Sequence, residues 1–193
     1  MRVFLDFEAS SLSKDSYPIE VAWVFEDGAS ESYLIRPPPG WTDWDAEAEA
    51  IHHISRASLE QGTAPVVVAT RMLEILSGHD LFASAPSWDG KWLSRLLREA
   101  GLPRHSLRLR DTEVAQRETA IEILQPLLPP EELEAAIDEL LVLTEIRLKG
   151  GPIAHRARAD AEAEQKHWLA VRRAALALAA RRRAITPVHG AQG

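Results

Sequence analysis

The chain has 193 residues, 46% of them hydrophobic and 26% charged, which is the composition of an ordinary globular protein. Its 22 Lys and Arg against 29 Asp and Glu leave a formal charge of −7, which argues against binding nucleic acid or anionic lipid through bulk charge. The absence of cysteine excludes disulfides and thiolate zinc sites. The longest apolar stretch, Ala174–Ala180, is too short to span a bilayer, and Asp6 interrupts the apolar start of the chain. We therefore expect a cytoplasmic protein with no membrane partner and no signal peptide.

The first third of the chain has the pattern of β structure, because short runs rich in β-branched and aromatic residues alternate with turn residues. Strands are predicted over Arg2–Phe7, Ile19–Phe25 and Ser32–Ile35, with Asp27-Gly28 as the turn between the last two. Pro37–Gly40 ends the third strand, since proline cannot donate to a strand ladder.

The middle of the chain alternates helical and strand periodicity. The predicted elements are a helix over Thr42–His52, a helix over Ala64–Leu76, a strand over Asp80–Ala85, a helix over Lys91–Ala100 ended by Gly101, and a strand over Leu107–Leu109. Strands followed by alternating strands and helices predict an α/β protein with a mixed sheet.

Residues 113–183 have helical patterning, with breaks predicted at Pro126–Pro130 and Gly150–Pro152. The small and polar residues 184–193 predict a flexible tail. We therefore expect one domain over residues 1–183, in which a helical segment over 113–149 is added before the C-terminal helix.

Two acidic residues interrupt the apolar pattern of the first strand. Side chains alternate along a strand, so Asp6 and Glu8 share one face while Leu5 and Phe7 face the core. Two neighbouring carboxylates at the end of an apolar strand repel each other and lose hydration, which a bound cation would offset. Simple exposure of both carboxylates at the strand end is the alternative.

Three further residues have the types and positions of site residues. Asp89 lies between a strand and a helix, where it is either an N-cap or a side chain at the sheet edge where α/β proteins place their sites. His155 and Asp160 are five residues apart, about 140° around a continuous helix, so they converge only if His155 precedes the helix that carries Asp160. A surface or capping role for His155 is the alternative.

Taken together, Asp6-Phe7-Glu8, Asp89 and His155–Ala161 resemble the three motifs of the DEDDh 3′–5′ exonucleases. This branch of the ribonuclease-H-like superfamily includes the proofreading subunit of DNA polymerase III and ribonuclease T. Ile19–Ala22 and Ile51–Ser55 are similar to the family's second strand and to the loop after its third strand. The resemblance covers residues 1–101 and 150–170, and it implies a ribonuclease-H-like mixed sheet flanked by helices.

The resemblance also implies a hydrolase that releases nucleoside monophosphates from the 3′ end of DNA or RNA. Asp6, Glu8, Asp89 and Asp160 would hold two divalent cations, and an all-oxygen ligand set suits Mg²⁺ or Mn²⁺. His155 would be the general base, and Glu8 would also contact the terminal 3′-hydroxyl.

Residues expected to contact the substrate follow or flank these motifs: Ala9, Ser10, Ser11, Leu12, Trp88, Arg156 and Arg158. Ala9–Ser11 stands where the family usually has Thr-Thr-Gly, and Ser84-Ala85 stands where it often has His-Asn. Trp41, Trp44 and Trp88 are candidates for stacking on a base. The expected partner is a nucleic acid with a 3′ end, preferably single-stranded, and helices over 130–147 and 157–183 offer an interface for a homodimer.

Two alternatives compete with this interpretation. The fold can serve as a catalytically weak nucleic-acid-binding module, although such modules usually lack one or more of the carboxylates that are present here. Glu49-x-x-His52 and Glu164-x-x-His167 have the spacing of di-iron helical bundles, which the β-rich first third fits poorly.

Overall fold

The computed structural model describes residues 1–148 and 155–185. One five-stranded sheet has the order β3-β2-β1-β4-β5. The strand β2 pairs antiparallel with both β1 and β3, whereas β4 pairs in parallel with both β1 and β5. The strands are β1 (Arg2–Ala9), β2 (Pro18–Phe25), β3 (Ser30–Leu34), β4 (Asp80–Ala83) and β5 (Leu109–Asp111). The mixed sheet flanked by helices that the sequence predicts is confirmed.

The helices of the described residues are α1 (Ala46–His52), a 3₁₀ helix (Arg56–Gln61), α2 (Pro65–Leu76), α3 (Pro86–Glu99), α4 (Thr112–Leu124), α5 (Pro130–Leu148) and α6 (Ala157–Ile185). The break predicted at Pro126–Pro130 is confirmed between α4 and α5. The break predicted at Gly150–Pro152 lies outside the described residues, as do residues 186–193 of the predicted tail. Residues 184 and 185, the first two of the predicted tail, belong to α6.

Two helix starts differ from the sequence prediction. The helix α3 begins at Pro86 rather than Lys91, because proline at the first helical position has a suitable φ and needs no intrahelical donor. The helix α1 begins only at Ala46, where the Asp45 carboxylate accepts a hydrogen bond from the Glu47 N–H and caps the helix.

The strands β4 and β5 are also displaced from their predicted ranges. The strand β4 ends at Ala83, and β5 covers Leu109–Asp111 instead of Leu107–Leu109. Parallel pairing with β4 sets the register of β5, with Asp111 opposite Ala83. This register depends on a neighbouring strand distant in sequence, so local propensity does not contain it.

The described residues form two compact units, 1–112 with 155–165, and 113–148 with 166–185. The first unit has its core on the sheet, with buried side chains that include Val3, Leu5, Phe7, Val21, Trp23, Leu93 and Leu96. The core of the second unit includes Ala120, Leu124, Ile137, Leu140, Val171 and Ala175. A single domain over residues 1–183, with 113–149 as an added segment, stays a prediction.

The first unit brings the ends of three strands to one edge of the sheet. Because β1, β4 and β5 run parallel, their carboxyl ends lie at the same edge, and α3 begins there after β4. Leu5 and Phe7 are buried in the core while Asp6 and Glu8 are partly exposed, which confirms the predicted alternation. Within residues 1–148 and 155–185, no helix is both long and apolar enough to cross a membrane.

Candidate active site

Three carboxylates meet at this edge of the sheet. Asp6 and Glu8 of β1 and Asp160 of α6 each offer an oxygen, and these oxygens all lie within 4.8 Å of one another. In the part of the chain that the structure describes, this is the one group of three or more side chains placed to hold a metal ion. The residues come from distant parts of the sequence, so the fold assembles the cluster.

Asp89 lies beside this cluster in a more buried position. Its side chain belongs to the first turn of α3, whose N-cap is Ala85, so the N-cap interpretation of Asp89 is wrong. The residue is only 2% exposed, and its Oδ2 atom has no hydrogen-bond partner. Burial raises the pKa of Asp89 to about 7, although backbone groups of Ala85 and Phe7 lower it. A buried carboxylate oxygen without a donor needs a proton or a cation, so Asp89 fits as a fourth ligand.

The carboxyl groups at this edge hold their protons strongly. Burial raises the pKa of Asp6 to about 9, with further contributions from the charges of Asp89, Glu8 and Asp160. Burial and then the charge of Asp160 raise the pKa of Glu8 to about 7. Burial also raises the pKa of Asp160. Full ionisation of the cluster therefore requires compensating positive charge, and an all-oxygen set of donors fits a hard divalent cation.

Glu20 of β2 fastens the start of α6 to the sheet. Arg156 donates from Nε and Nη2 to the Glu20 carboxylate at 3.0 and 2.6 Å, and the backbone N–H of Ala157 donates to it at 3.0 Å. Glu20 also lies opposite Glu8 in the β1–β2 pairing. We call these hydrogen bonds of Glu20 with Arg156 and Ala157 the clamp. The clamp sets the position from which α6 presents Asp160. Glu20 has no predicted role, although an acidic residue inside an apolar strand is a signal that could have pointed to one.

The clamp competes with the predicted contact of Arg156 with a phosphate. The side chain of Arg156 is 47% exposed, but its guanidinium is already bound by a carboxylate that is only 6% exposed. Arg158, two residues after Arg156, pairs instead with the more accessible Glu162 at 3.1 Å. Of the two arginines, Arg158 has the weaker intramolecular partner for a phosphate to displace.

We expect Glu20→Ala to lower the free energy of unfolding by about 2–3 kcal/mol, because it removes a buried acceptor of three hydrogen bonds, two of them from a charged group. Glu20→Gln keeps an acceptor for Ala157 and should cost less. Urea unfolding measures both effects. The matched control is Glu31→Ala, which breaks a more exposed bidentate pair with Arg71 and should cost about 1 kcal/mol or less. Equal losses for Glu20→Ala and Glu31→Ala would contradict the clamp.

His155 lies two residues before the start of α6 and is exposed, as expected for a residue that precedes the helix of Asp160. Its backbone has φ +47°, a left-handed conformation. The N–H of Arg156 donates to the Asp160 carboxylate at 3.1 Å, and the N–H of Asp160 donates to the Arg156 carbonyl at 3.0 Å. These reciprocal bonds close the turn that brings His155 near enough to Asp160 for its charge to lower the pKa of that carboxyl.

The loop after β1 is held by an aspartate that the sequence analysis missed. Ser10, Ser11 and Ser13 donate from their hydroxyls to the Asp43 carboxylate at 2.8, 2.6 and 2.9 Å. Burial opposes ionisation of Asp43, but the three hydroxyls outweigh it and lower the pKa of Asp43. The hydroxyls of Ser10 and Ser11, two residues expected to contact the substrate, are thus engaged within the protein. Ala9 is buried as well, whereas Leu12 is 69% exposed and accessible to a ligand.

The candidate tryptophans differ in their exposure. Trp88 is 38% exposed, and the Lys91 ammonium lies 4.9 Å from the centre of its ring. Trp44 is partly buried and donates from Nε1 to Glu49 at 2.8 Å. Trp41 is buried against Tyr17, so the prediction that it stacks on a base is wrong. Apolar packing of a loop residue is a tertiary effect that its loop position does not reveal.

The di-iron interpretation finds no support in the structure. Neither Glu49 and His52 nor Glu164 and His167 belong to a group of three metal-ligating side chains within residues 1–148 and 155–185. His52 is buried, and its Nδ1 accepts a hydrogen bond from the Ile54 N–H at 3.0 Å. Glu164 instead lies near enough to Asp6 and Asp89 to raise the pKa of both.

Solved structures of exonuclease I are similar to this chain. The zinc-bound complex of Escherichia coli exonuclease I with single-stranded DNA matches with a TM-score of 0.60 and 17% identity over 86% of this chain. A product-bound structure of exonuclease I matches with a TM-score of 0.62 and 15% identity over 93% of this chain. This chain has the exonuclease I fold. The predicted resemblance to the DEDDh exonucleases is thereby confirmed for the fold.

The match to exonuclease I covers only part of that enzyme. This chain spans 38% and 45% of the two exonuclease I chains, so it corresponds to less than half of their length. No family model matches the chain, and no curated protein matches it closely enough to count as a relative.

Proposed function

We propose that this chain is a metal-dependent 3′–5′ exonuclease that hydrolyses phosphodiester bonds of DNA or RNA and releases nucleoside monophosphates. The observation that carries the proposal is the meeting of Asp6, Glu8 and Asp160 beside the buried Asp89 at the carboxyl edge of a sheet with the exonuclease I fold. Exonuclease I has been crystallised with dA16 and dT13 oligonucleotides, which makes single-stranded nucleic acid the first substrate to test. We place this activity in the cytoplasm.

In this proposal Asp6, Glu8, Asp89 and Asp160 hold two divalent cations, Mg²⁺ or Mn²⁺. Such a pair activates water and stabilises charge on the attacking and leaving oxygens of a phosphodiester. His155, exposed at the start of α6, accepts the proton of the attacking water at a neutral ring nitrogen. Glu8 accepts a hydrogen bond from the terminal 3′-hydroxyl. Leu12, Trp88 and Arg158 contact the last nucleotides, and the Ser10–Asp43 and Ser11–Asp43 hydrogen bonds hold their loop in place.

The deciding experiment follows 5′-labelled single-stranded DNA, RNA and duplex DNA in the presence of Mg²⁺ or Mn²⁺. We expect stepwise shortening from the 3′ end with release of mononucleotides, blocked by EDTA and by a 3′-phosphate that removes the hydroxyl contacted by Glu8. Binding of an oligonucleotide without hydrolysis under either metal would favour the alternative, a nucleic-acid-binding module with the same fold.

Metal affinity should rise with pH, because the carboxyl groups of Asp6, with a pKa of about 9, and of Glu8, with a pKa of about 7, must lose protons to coordinate a cation. We expect Mn²⁺ to bind at least about tenfold more tightly at pH 8 than at pH 6. Titration calorimetry in two buffers of different ionisation enthalpy measures the affinity and the protons released. An affinity that does not change with pH, without proton release, would contradict the assignment of these ligands.

A homodimer stays a prediction, and one surface supports it. Along α5 the side chains of Val142, Leu143 and Ile146 are 53%, 43% and 58% exposed, an arrangement that a partner surface would bury. We expect sedimentation equilibrium to show a dimer that Ile146→Asp converts to a monomer. A wild-type chain that sediments as a monomer at micromolar concentration would refute this prediction.

A further inference from the structure

A basic groove follows the first half of α3 in the unit that holds the carboxylate cluster. The cavity has a volume of about 510 Å³, and its lining includes Pro86, Gly90, Lys91, Arg104, His105 and Arg108. No Asp or Glu is among its lining residues, all of which lie in the described part of the chain. In a chain with a formal charge of −7, a groove whose ionisable lining residues are all basic indicates an anionic ligand.

The basic side chains of the groove are not equally available. The Lys91 ammonium donates to the Ser13 carbonyl at 2.5 Å and to the Ser16 hydroxyl at 3.0 Å, so it holds the loop after β1 against α3. Arg104 and Arg108 are exposed, and no carboxylate within residues 1–148 and 155–185 pairs with either. Arg104 donates from Nε to His105 Nε2 at 2.9 Å, which leaves its Nη groups for a ligand. The two arginines are therefore the cations that a ligand can use.

The groove begins at the first turn of α3, which carries Asp89 beside the carboxylate cluster. Pro86 and Gly90 lie in the first turns of α3, and Gly90 directly follows the buried Asp89. Trp88, half-exposed in the same turn, offers a face for stacking. From Pro86 to Ser94 the helix rises by about 12 Å, a length that accommodates two or three phosphates of one strand.

We propose that this groove binds the phosphate backbone of the nucleic-acid strand upstream of its 3′ end. Arg104 and Arg108 contact the phosphates, and Trp88 stacks on a base where the strand leaves the carboxylate cluster. The planar guanidinium matches two phosphate oxygens at once, and an open groove fits a continuous strand better than it fits a small enclosed ligand. This inference rests on the proposed function and deepens it, since it names how a chain of net charge −7 holds a polyanion.

The test compares the wild-type chain with Arg104→Gln/Arg108→Gln in fluorescence anisotropy, using a single-stranded oligonucleotide of about 15 nucleotides. We expect the double variant to bind about tenfold more weakly at low salt. Its negative slope of log K against log salt concentration should become shallower by about 1.4, or 0.7 for each lost phosphate contact. Hydrolysis of the p-nitrophenyl ester of thymidine 5′-monophosphate should be unchanged, because this substrate has no upstream phosphates.

Arg98→Gln is the matched control, because Arg98 is an exposed arginine of α3, the helix beside the groove, and does not line the groove. Equal losses for Arg98→Gln and the double variant, an unchanged salt slope, or equally tight binding of a poly-glutamate peptide would overturn the groove. If the ester is hydrolysed while the double variant binds DNA as the wild type does, the groove fails and the proposed function stands. If the wild-type chain hydrolyses neither the ester nor the oligonucleotide, but the double variant loses affinity for the oligonucleotide, the proposed function fails and the groove stands.

Discussion

Asp6→Asn is expected to abolish metal-dependent turnover, with a loss of at least about 10³-fold, and at the same time to stabilise the metal-free protein. Asp6 is central to the cluster, since the charges of Asp89, Glu8 and Asp160 all act on it. An amide keeps the shape of the side chain but brings no negative charge to a divalent cation, whose stabilisation of the transition state is worth several kcal/mol. Mononucleotide release from labelled single-stranded DNA under saturating Mn²⁺ measures the loss.

The stability effect of Asp6→Asn follows from the sign of the pKa shift. The folded-state pKa of Asp6, about 9, lies above the unfolded value of 3.8, so the native state becomes less stable as the pH rises from about 4 through 9. The amide removes this cost. We expect a gain of at least about 1 kcal/mol at pH 8 in EDTA, or roughly 2–4 °C in Tm.

Asp138→Asn provides the control, because it removes an exposed carboxylate that pairs with Arg117 and should leave Tm unchanged or slightly lower. A fall in Tm for Asp6→Asn would mean that its lost activity reflects misfolding. Full activity in Asp6→Asn would refute the metal-dependent mechanism itself.

His155→Ala is expected to lower kcat by about 10²–10⁴, the usual contribution of a general base. Only a neutral imidazole accepts a proton, so the wild-type rate should rise through about pH 6–8, and this rise should disappear in the variant. Glu8 and Asp89 have pKa values of about 7 and titrate in the same range when no metal is bound. The pH profile must therefore be measured at saturating Mn²⁺, which keeps both carboxyl groups ionised.

Because the backbone of His155 has a left-handed conformation, His155→Asn is needed beside His155→Ala. Because φ is +47°, alanine at this position is strained, whereas asparagine tolerates the left-handed conformation. His155→Asn should match His155→Ala in kcat and in the lost pH dependence, if proton transfer is the role of the ring. A loss under threefold in both variants would remove His155 from the mechanism, and a loss confined to His155→Ala would assign it a backbone role.

Local patterns in the sequence determine a large part of this protein. Alternation along β1 is enough to place Asp6 and Glu8 on one face and Phe7 in the core, because side-chain direction on a strand follows from position alone. Turn chemistry is local in the same way. Gly28, in the predicted turn, has φ +93°, and Gly101, the predicted helix stop, has φ +70°.

Only the tertiary structure decides which of these residues share an environment. Asp89 has the sequence position of a cap, and the packing of α3 on the sheet makes it a buried carboxylate instead. The clamp joins Glu20 to Arg156 across 136 residues, and no local pattern encodes that pairing. Desolvation and long-range contact depend on what the rest of the chain places around a residue. The sequence alone thus determined the type and direction of the acidic side chains, whereas the tertiary structure decided their depth, their raised pKa values and the partners that hold them.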